Sequence, residues 1–190
     1  MVKKLTVLVL LSVAVAAVAT AQERSVFAGG CFWCMEEAFE EVPGVLSVVS
    51  GYAQGTVANP TYEEVTRGGT GHAEVVEVRY DPEVVSYERL LQVFWRNIDP
   101  FDGGGQFCDR GSSYRAGIYY DSEEERELAL DSLERVRAQF DRDIATEVEA
   151  LDTFYVAEQY HQDYYRRNPI RYYYYKTACG RERRLEEVWG

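Results

Sequence analysis

Two cysteines, Cys31 and Cys34, enclose the aromatic pair Phe32 and Trp33 and follow a pair of glycines. Residues 25–28 predict a short buried strand, and a helical pattern begins at Cys31. Cysteine attacks as a thiolate, and the backbone N–H groups at a helix N-terminus lower the pKa of a nearby thiol. The spacing therefore predicts an activated nucleophile at Cys31, with Cys34 within reach to form a disulfide.

Three other interpretations of the cysteines remain open at this point. A thioredoxin-like enzyme also places C-x-x-C at a helix start, although two bulky aromatic residues between the cysteines would hinder a protein substrate. A zinc site needs four ligands, and the two histidines, His72 and His161, are far apart in the sequence. Because Cys108 and Cys179 bring the cysteine count to four, structural disulfides are the third interpretation.

The aromatic pair indicates what the nucleophile would attack. Exposed rings at Phe32 and Trp33, beside a reactive sulfur, would form an apolar cup for a methyl or thioether group. The pattern therefore favours a small sulfur compound as substrate.

Glu74 is the candidate acid. The strand pattern over residues 74–80 places Glu74 on the same face as Val76 and Val78, a face expected to be buried. Burial would raise the pKa of the Glu74 carboxyl and keep a proton available near neutral pH. The alternative is a carboxylate at a strand end that pairs with Arg or Lys.

The N-terminal segment predicts export. Residues 5–21 carry no charge, follow Lys3 and Lys4, and end on small residues, which is typical of a signal peptide cleaved after Ala21. A retained membrane anchor is the rival interpretation. We expect a mature chain over residues 22–190, in a bacterial periplasm and without membrane contact after cleavage.

The rest of the chain has the size of one domain. The 190-residue sequence has a formal charge of −12, which becomes more negative when Lys3 and Lys4 leave with the signal, so nucleic acid is excluded as a partner. Interleaved strands and helices with irregular spacing predict an α+β two-layer sandwich with a mixed β-sheet and flanking helices. Strands are predicted over residues 25–28, 45–52, 74–80, 114–120 and 147–151, helices near 31–42, 61–65, 86–98, 122–140 and 157–167, and a loop over 102–113. Residues 172–175 are expected to cover the core.

Six motifs, read in chain order, extend these observations over nearly the whole mature chain. They are Gly30-Cys31-Phe32-Trp33, Gly51-Tyr52, Asn59-Pro60-Thr61-Tyr62, Gly71-His72-Ala73-Glu74, Asp109-Arg110-Gly111 with Ser113-Tyr114-Arg115, and Ala157-Glu158-Gln159-Tyr160-His161-Gln162. In this order they resemble the A-type peptide methionine sulfoxide reductases.

The resemblance implies an enzyme that reduces the S epimer of methionine sulfoxide, free or in proteins, and so repairs oxidative damage. It implies that Cys31 is the attacking thiolate and that Phe32 and Trp33 hold the substrate methyl group. Polar side chains would surround the sulfoxide oxygen: Glu74, Tyr52, Tyr114 and Asp109. A monomer without metal or organic cofactor is expected, which an external dithiol such as a thioredoxin-like protein recycles.

The residue that resolves the sulfenic acid on Cys31 has three candidates. The resemblance points first to Cys179 in the C-terminal tail. Cys34 follows, because it stands where the family more often has glycine, and Cys108 is third because it neighbours Asp109. A thiol-disulfide oxidoreductase using Cys31 and Cys34 is the alternative function.

Overall fold

The computed structural model describes residues 22–190, so the predicted signal peptide lies outside the described residues. A six-stranded sheet has the order β7-β6-β1-β3-β2-β8, and its neighbours are antiparallel except β6 and β7. The predicted α+β fold with a mixed sheet is confirmed. The strands are β1 (Glu23–Gly29), β2 (Val45–Ala53), β3 (Ala73–Tyr80), β4 (Gly105–Gln106), β5 (Asp109–Arg110), β6 (Ala116–Tyr120), β7 (Glu147–Ala150) and β8 (Tyr155–Val156).

Helices pack on the sheet, and the last three elements of the chain are also helices. They are α1 (Phe32–Glu40), α2 (Tyr62–Arg67), α3 (Tyr87–Arg96), α4 (Glu123–Arg137), α5 (Tyr164–Arg167), α6 (Pro169–Ala178) and α7 (Arg181–Trp189). None of the helices within residues 22–190 combines the length and the apolar character that a membrane crossing requires.

The main core lies between one face of the sheet and the helices α1 and α3. Phe27 of β1 stacks on Phe39 of α1 and on Phe94 of α3, with ring centroids 4.9 and 5.5 Å apart. Val76 and Val78 of β3 are in the same cluster, which confirms the predicted buried face. Burial of such large apolar side chains is the main stabilising term of folding, and here it fixes α1 against β3.

The predicted helix over residues 157–167 is wrong for most of its length. The chain forms the edge strand β8 and then turns, and only Tyr164–Arg167 is helical. The Gln162 side chain accepts from the Ser50 N–H at 3.0 Å and donates to the Ser50 carbonyl at 2.9 Å. These bonds hold the segment against β2, and Asp163 takes a left-handed φ of 52° at the turn into α5.

The C-terminal helices α6 and α7 were not predicted. A proline after the helix predicted over residues 157–167 favours a chain break there, whereas Pro169 is the first residue of α6, a position where the missing N–H costs nothing. Only part of the tyrosine run covers the core as expected: Tyr172 is fully buried, whereas Tyr174 is 78% exposed.

The predicted loop over residues 102–113 contains a small hairpin. Strands β4 and β5 pair, and a 3-10 turn at Ser112–Tyr114 delays the start of β6 to Ala116. Gly105 has a φ of 139°, and a Cβ there would lie 2.2 Å from the Asp109 carbonyl oxygen. The hairpin therefore requires glycine, and it presents Asp109 to the start of α1.

Candidate functional site

Cys31 is the N-cap residue of α1, as predicted, and its carbonyl accepts from the Cys34 N–H at 3.1 Å. The preceding Gly30 has a φ of 79°, and a Cβ there would lie 2.5 Å from Cβ of the buried Gln106. A side chain at position 30 would therefore push the hairpin away from α1. The turn places the Cys31 side chain, only 6% exposed, at the edge of a small cavity.

The cavity has a volume of about 50 Å³, enough for a few atoms of a substrate. Six of the seven side chains predicted to act on or bind the substrate line it, with Phe32 and Trp33 as the apolar wall, and Tyr52 is the one that does not. Its lining comprises Cys31, Phe32, Trp33, Tyr62, Glu74, Asp109, Tyr114 and Tyr175.

Glu74 is buried, with 2% of its surface exposed, and its Oε2 accepts from the Phe32 N–H at 3.0 Å. Burial raises the pKa of the Glu74 carboxyl well above its usual value, and the nearby Asp109 adds to the shift. The Phe32 N–H opposes the shift without overcoming it. The shift favours the protonated form of Glu74, which agrees with the expectation from the strand pattern.

The phenol hydroxyls differ from the predicted set. Tyr114 lines the cavity, but the Tyr52 hydroxyl donates to Glu158 at 2.8 Å and Tyr52 is absent from the cavity lining. Tyr62 takes part in that lining instead, because Glu158 also accepts from the Tyr62 N–H at 2.8 Å. Burial raises the pKa of Tyr62 to about 12, and that of Tyr114 also rises, so both remain hydrogen-bond donors.

Tyr62 was missed, although it ends one of the recognised motifs. Its position after the N-cap Thr61 gives it the first place in α2. Sequence alone does not reveal that this first turn faces the cavity. The signal that could have identified Tyr62 is therefore its place in the motif rather than any periodicity.

The aromatic wall is less exposed than predicted. Phe32 is only 1% exposed and Trp33 is half-buried. Trp33 Nε1 donates to His161 Nδ1 at 3.1 Å, and the indole stacks on Tyr164 with ring centroids 3.7 Å apart. Burial lowers the pKa of His161 to about 4, so the neutral ring accepts this bond. His161 thus orients Trp33, while His72 Nε2 contacts the Val57 carbonyl oxygen at 2.7 Å.

Asp109 enters the cavity from the hairpin, and α6 covers it. The Tyr175 hydroxyl donates to the Asp109 carboxylate. Burial raises the pKa of Asp109, although the bond from Tyr175 opposes that shift. Tyr175 was not predicted as a site residue, because α6 itself was not recognised.

The electrostatics of the cysteine pair correct one prediction. Burial raises the pKa of Cys31 well above its usual value, rather than the helix lowering it. The hydrogen bond from Cys31 instead lowers the pKa of Cys34 to about 6, and the charges of Arg181 and Lys176 contribute. In this coupled pair, negative charge is therefore favoured on Cys34 rather than on Cys31.

The other two cysteines are joined to each other. Cys108 and Cys179 form a disulfide, with Cα atoms 4.8 Å apart, between the hairpin and the end of α6. Cys31 and Cys34 are free and buried together with Tyr172. The structure thus has a free dithiol at the cavity, formed by Cys31 and Cys34, and a separate disulfide that joins the hairpin to the end of α6.

The chain is similar to known proteins over most of its length. A family model for peptide methionine sulfoxide reductase matches residues 23–190. The peptide methionine sulfoxide reductase MsrA of Bacillus licheniformis is 48% identical over 171 residues, which are 89% of this chain and 94% of that protein. Among solved structures, reduced Mxr1 from Saccharomyces cerevisiae matches with a TM-score of 0.75 and 30% identity, over 80% of this chain and 88% of that one. Methionine sulfoxide reductase A of Corynebacterium diphtheriae matches with a TM-score of 0.71 and 34% identity, over 78% and 76%.

Proposed function

The chain belongs to the peptide methionine sulfoxide reductase family, and on that premise we propose that its Cys31 reduces the S epimer of methionine sulfoxide, free or in proteins. The chain is an oxidoreductase that reduces methionine sulfoxide with electrons from a thiol reductant. One observation carries the assignment of roles: Cys31 and a buried Glu74, whose carboxyl has a raised pKa, line the same small cavity.

In the first step, the sulfoxide lies with its methyl group against Phe32 and Trp33 and its oxygen toward Glu74. Glu74 donates a proton to that oxygen, because a protonated oxygen is the better leaving group. The Cys31 sulfur attacks the substrate sulfur while the Cys34 thiolate takes the Cys31 proton. The oxygen leaves as water with the protons from Glu74 and Cys34, and a bond joins the Cys31 sulfur to the substrate sulfur. Water then attacks the Cys31 sulfur, methionine leaves, a proton returns to Glu74, and Cys31 becomes a sulfenic acid.

Two phenols complete the site around the oxygen. Tyr62 and Tyr114 donate hydrogen bonds to the sulfoxide oxygen as negative charge develops on it, and such oriented donors stabilise a transition state. Tyr175 holds the Asp109 carboxyl at the edge of the cavity and so acts as a positioning residue.

Cys34 resolves the intermediate. Its thiolate attacks the Cys31 sulfur, water leaves, and a disulfide forms between the two residues. The resemblance places Cys179 first, and in the structure the Cys179 sulfur is bonded to Cys108, which favours Cys34 as the first partner of Cys31. The low pKa of Cys34 and its shared proton with Cys31 support the local route.

A thioredoxin-like dithiol returns the enzyme to its reduced state. Mxr1, the yeast protein of similar fold, has been solved in complex with Trx2. The uncharged segment over residues 5–21 supports export to a bacterial periplasm, where an exported reductant would be required.

Turnover of the separate epimers tests the proposal. Purified residues 22–190 are incubated with each epimer of methionine sulfoxide and dithiothreitol, and methionine is measured. We expect turnover of the S epimer alone and its loss in Cys31→Ser. Reduction of insulin disulfides without sulfoxide turnover would favour the thiol-disulfide oxidoreductase instead.

A further inference from the structure

A second cavity, of about 320 Å³, reaches Cys34 from outside the substrate cavity. Cys31 is absent from its lining, just as Cys34 is absent from the lining of the substrate cavity. The two sulfurs of the dithiol are therefore reached through different openings. Its lining includes Cys34, Glu37, Ala38, Tyr173, Lys176 and Arg181.

The geometry of disulfide reduction explains why separate access to Cys31 and Cys34 would matter. An incoming thiolate attacks one sulfur of a disulfide and expels the other, and it approaches along the extension of the S–S bond. Once Cys31 and Cys34 are joined, an attack on Cys34 must come from the side away from Cys31. The second cavity opens on that sulfur, whereas the substrate cavity ends at Cys31.

We propose that the second cavity is the entrance for the reductant, so that the external dithiol attacks Cys34 while the substrate cavity serves the sulfoxide alone. This inference rests on the proposed function and adds a separate binding site for the second half-reaction. We call the second cavity the reductant cavity.

The proposed step balances in electrons and protons. One thiolate of the reductant bonds to the Cys34 sulfur, the bond between Cys34 and Cys31 breaks, and Cys31 leaves and takes a proton from Glu74. The second thiol of the reductant then attacks its own sulfur in the mixed disulfide and expels Cys34 as a thiolate. A thiol of low pKa is the better leaving group, so the second displacement is favoured. The reductant leaves as a disulfide, and Glu74 regains a proton from solvent.

The charges around the reductant cavity suit a thiolate. Arg181 is 3% exposed and is held by the Asn97 carbonyl oxygen at 2.5 Å, and Lys176 pairs with Glu37 at 2.7 Å. Both cations stabilise the Cys34 thiolate that the second displacement releases. Lys176 and Arg181 line the reductant cavity, and neither lines the substrate cavity.

The surface beside this cavity suits a protein reductant. Helix α6 exposes Ile170, Tyr173 and Tyr174 by 85, 50 and 78%, and Tyr173 also lines the cavity. Exposed apolar side chains grouped in this way indicate a protein contact. The occupant that the chemistry requires is a dithiol protein of the thioredoxin type, which would cover α6 while its thiol enters.

Filling the cavity tests the proposal. Ala38→Phe places a ring in the reductant cavity, and Ala138→Phe, at the exposed C-cap of α4, is the matched control. Methionine formed before any reductant is added measures the first half-reaction, and steady-state turnover with a thioredoxin measures recycling. We expect an unchanged burst and recycling slowed by about 10-fold or more in Ala38→Phe. Recycling equal to that of the control would overturn the proposal. A wild-type protein without a burst would instead reject the proposed function.

A second measurement does not depend on any cavity variant. The oxidised wild-type protein is mixed with an excess of 2-mercaptoethanol, quenched in acid and digested, and the mixed disulfide is mapped. We expect the added thiol on Cys34. A mixed disulfide predominantly on Cys31 would overturn the proposal, because it would place the reductant in the substrate cavity.

Discussion

The two sides of the catalytic cysteines are built in different ways. On the sheet side, Glu74 belongs to the central strand β3, and Cys31 is held by the first hydrogen bonds of α1. On the other side lies α6, the helix that covers the cavity and is here called the cover. It is joined to the site by tyrosine hydroxyls and a disulfide. Main-chain hydrogen bonds therefore position Cys31 and Glu74, whereas side-chain contacts hold α6 in place. Substitutions on the sheet side should therefore affect the chemistry, and those on the cover should affect stability and recycling.

The largest effect is expected at the nucleophile. Cys31→Ser should lower sulfoxide turnover by more than about 10⁴-fold, because a hydroxyl cannot accept the oxygen as a sulfur does. Cys34→Ser is the comparison: without reductant it should still form about one methionine per protein and then stop, but more slowly than wild type, because the base that takes the Cys31 proton is lost. Measurable multiple turnover in Cys31→Ser would move the attack to another thiol.

The disulfide should dominate the stability of the cover. Cys108→Ser combined with Cys179→Ser opens a loop with a sequence separation of 71 residues, and chain entropy assigns roughly 4 kcal/mol to such a closure. We expect a lower free energy of unfolding, measured in urea, with the first half-reaction preserved under folding conditions. A loss of the methionine burst in a variant that remains folded would show that this disulfide takes part in catalysis.

Glu74→Gln should lower turnover and raise the stability of the folded protein at neutral pH. We expect about a 10²-fold loss of turnover, because Gln retains the contact with Phe32 but has no proton to donate. The folded-state pKa of Glu74 is raised, so above about pH 4.5 the unfolded state ionises first and the folded protein loses stability. Glu74→Gln should therefore unfold at a higher temperature than wild type at neutral pH, and not at pH 3 to about 4, where both forms are protonated.

Two results for Glu74→Gln would contradict this role of Glu74. A variant equally active from acidic to neutral pH would remove Glu74 as the acid. A lower unfolding temperature at neutral pH would mean that Glu74 is ionised in the folded protein.

The smallest effects should separate the phenols. Tyr114→Phe and Tyr62→Phe should each lower turnover by about 10-fold, the cost of one hydrogen bond to a charged oxygen. Tyr52→Phe should cost less, because its hydroxyl is engaged with Glu158. Steady-state kinetics of the three variants would test this order, and a larger loss for Tyr52→Phe would restore it to the oxygen site.

The sheet side could be predicted from sequence for a physical reason. Alternation along β3 assigns Glu74 to the buried face, and the glycine pair with a helical pattern places Cys31 at a turn. Both signals are local. Peptide geometry and burial of the apolar face then bring the two residues together.

The cover could not be predicted in the same way, because its contacts are distant in sequence. The Tyr175 hydroxyl binds Asp109, which is 66 residues away in the sequence. The Gln162 side chain binds the Ser50 main chain of β2, which is 112 residues away. Such side-chain bonds override the helical pattern over residues 157–163. The pKa of Cys34 is lowered first by the hydrogen bond from Cys31, and the charges of Arg181 and Lys176, which come from this same distant segment, add to the shift.

The most direct test of the account is a map of the cysteines after a single turnover. The reduced Cys31 and Cys34 pair is given one equivalent of the S epimer without reductant, quenched with an alkylating agent in acid, and digested. The account predicts a new disulfide between Cys31 and Cys34, with the bond between Cys108 and Cys179 unchanged. A disulfide between Cys31 and Cys179, with Cys34 alkylated, would contradict it.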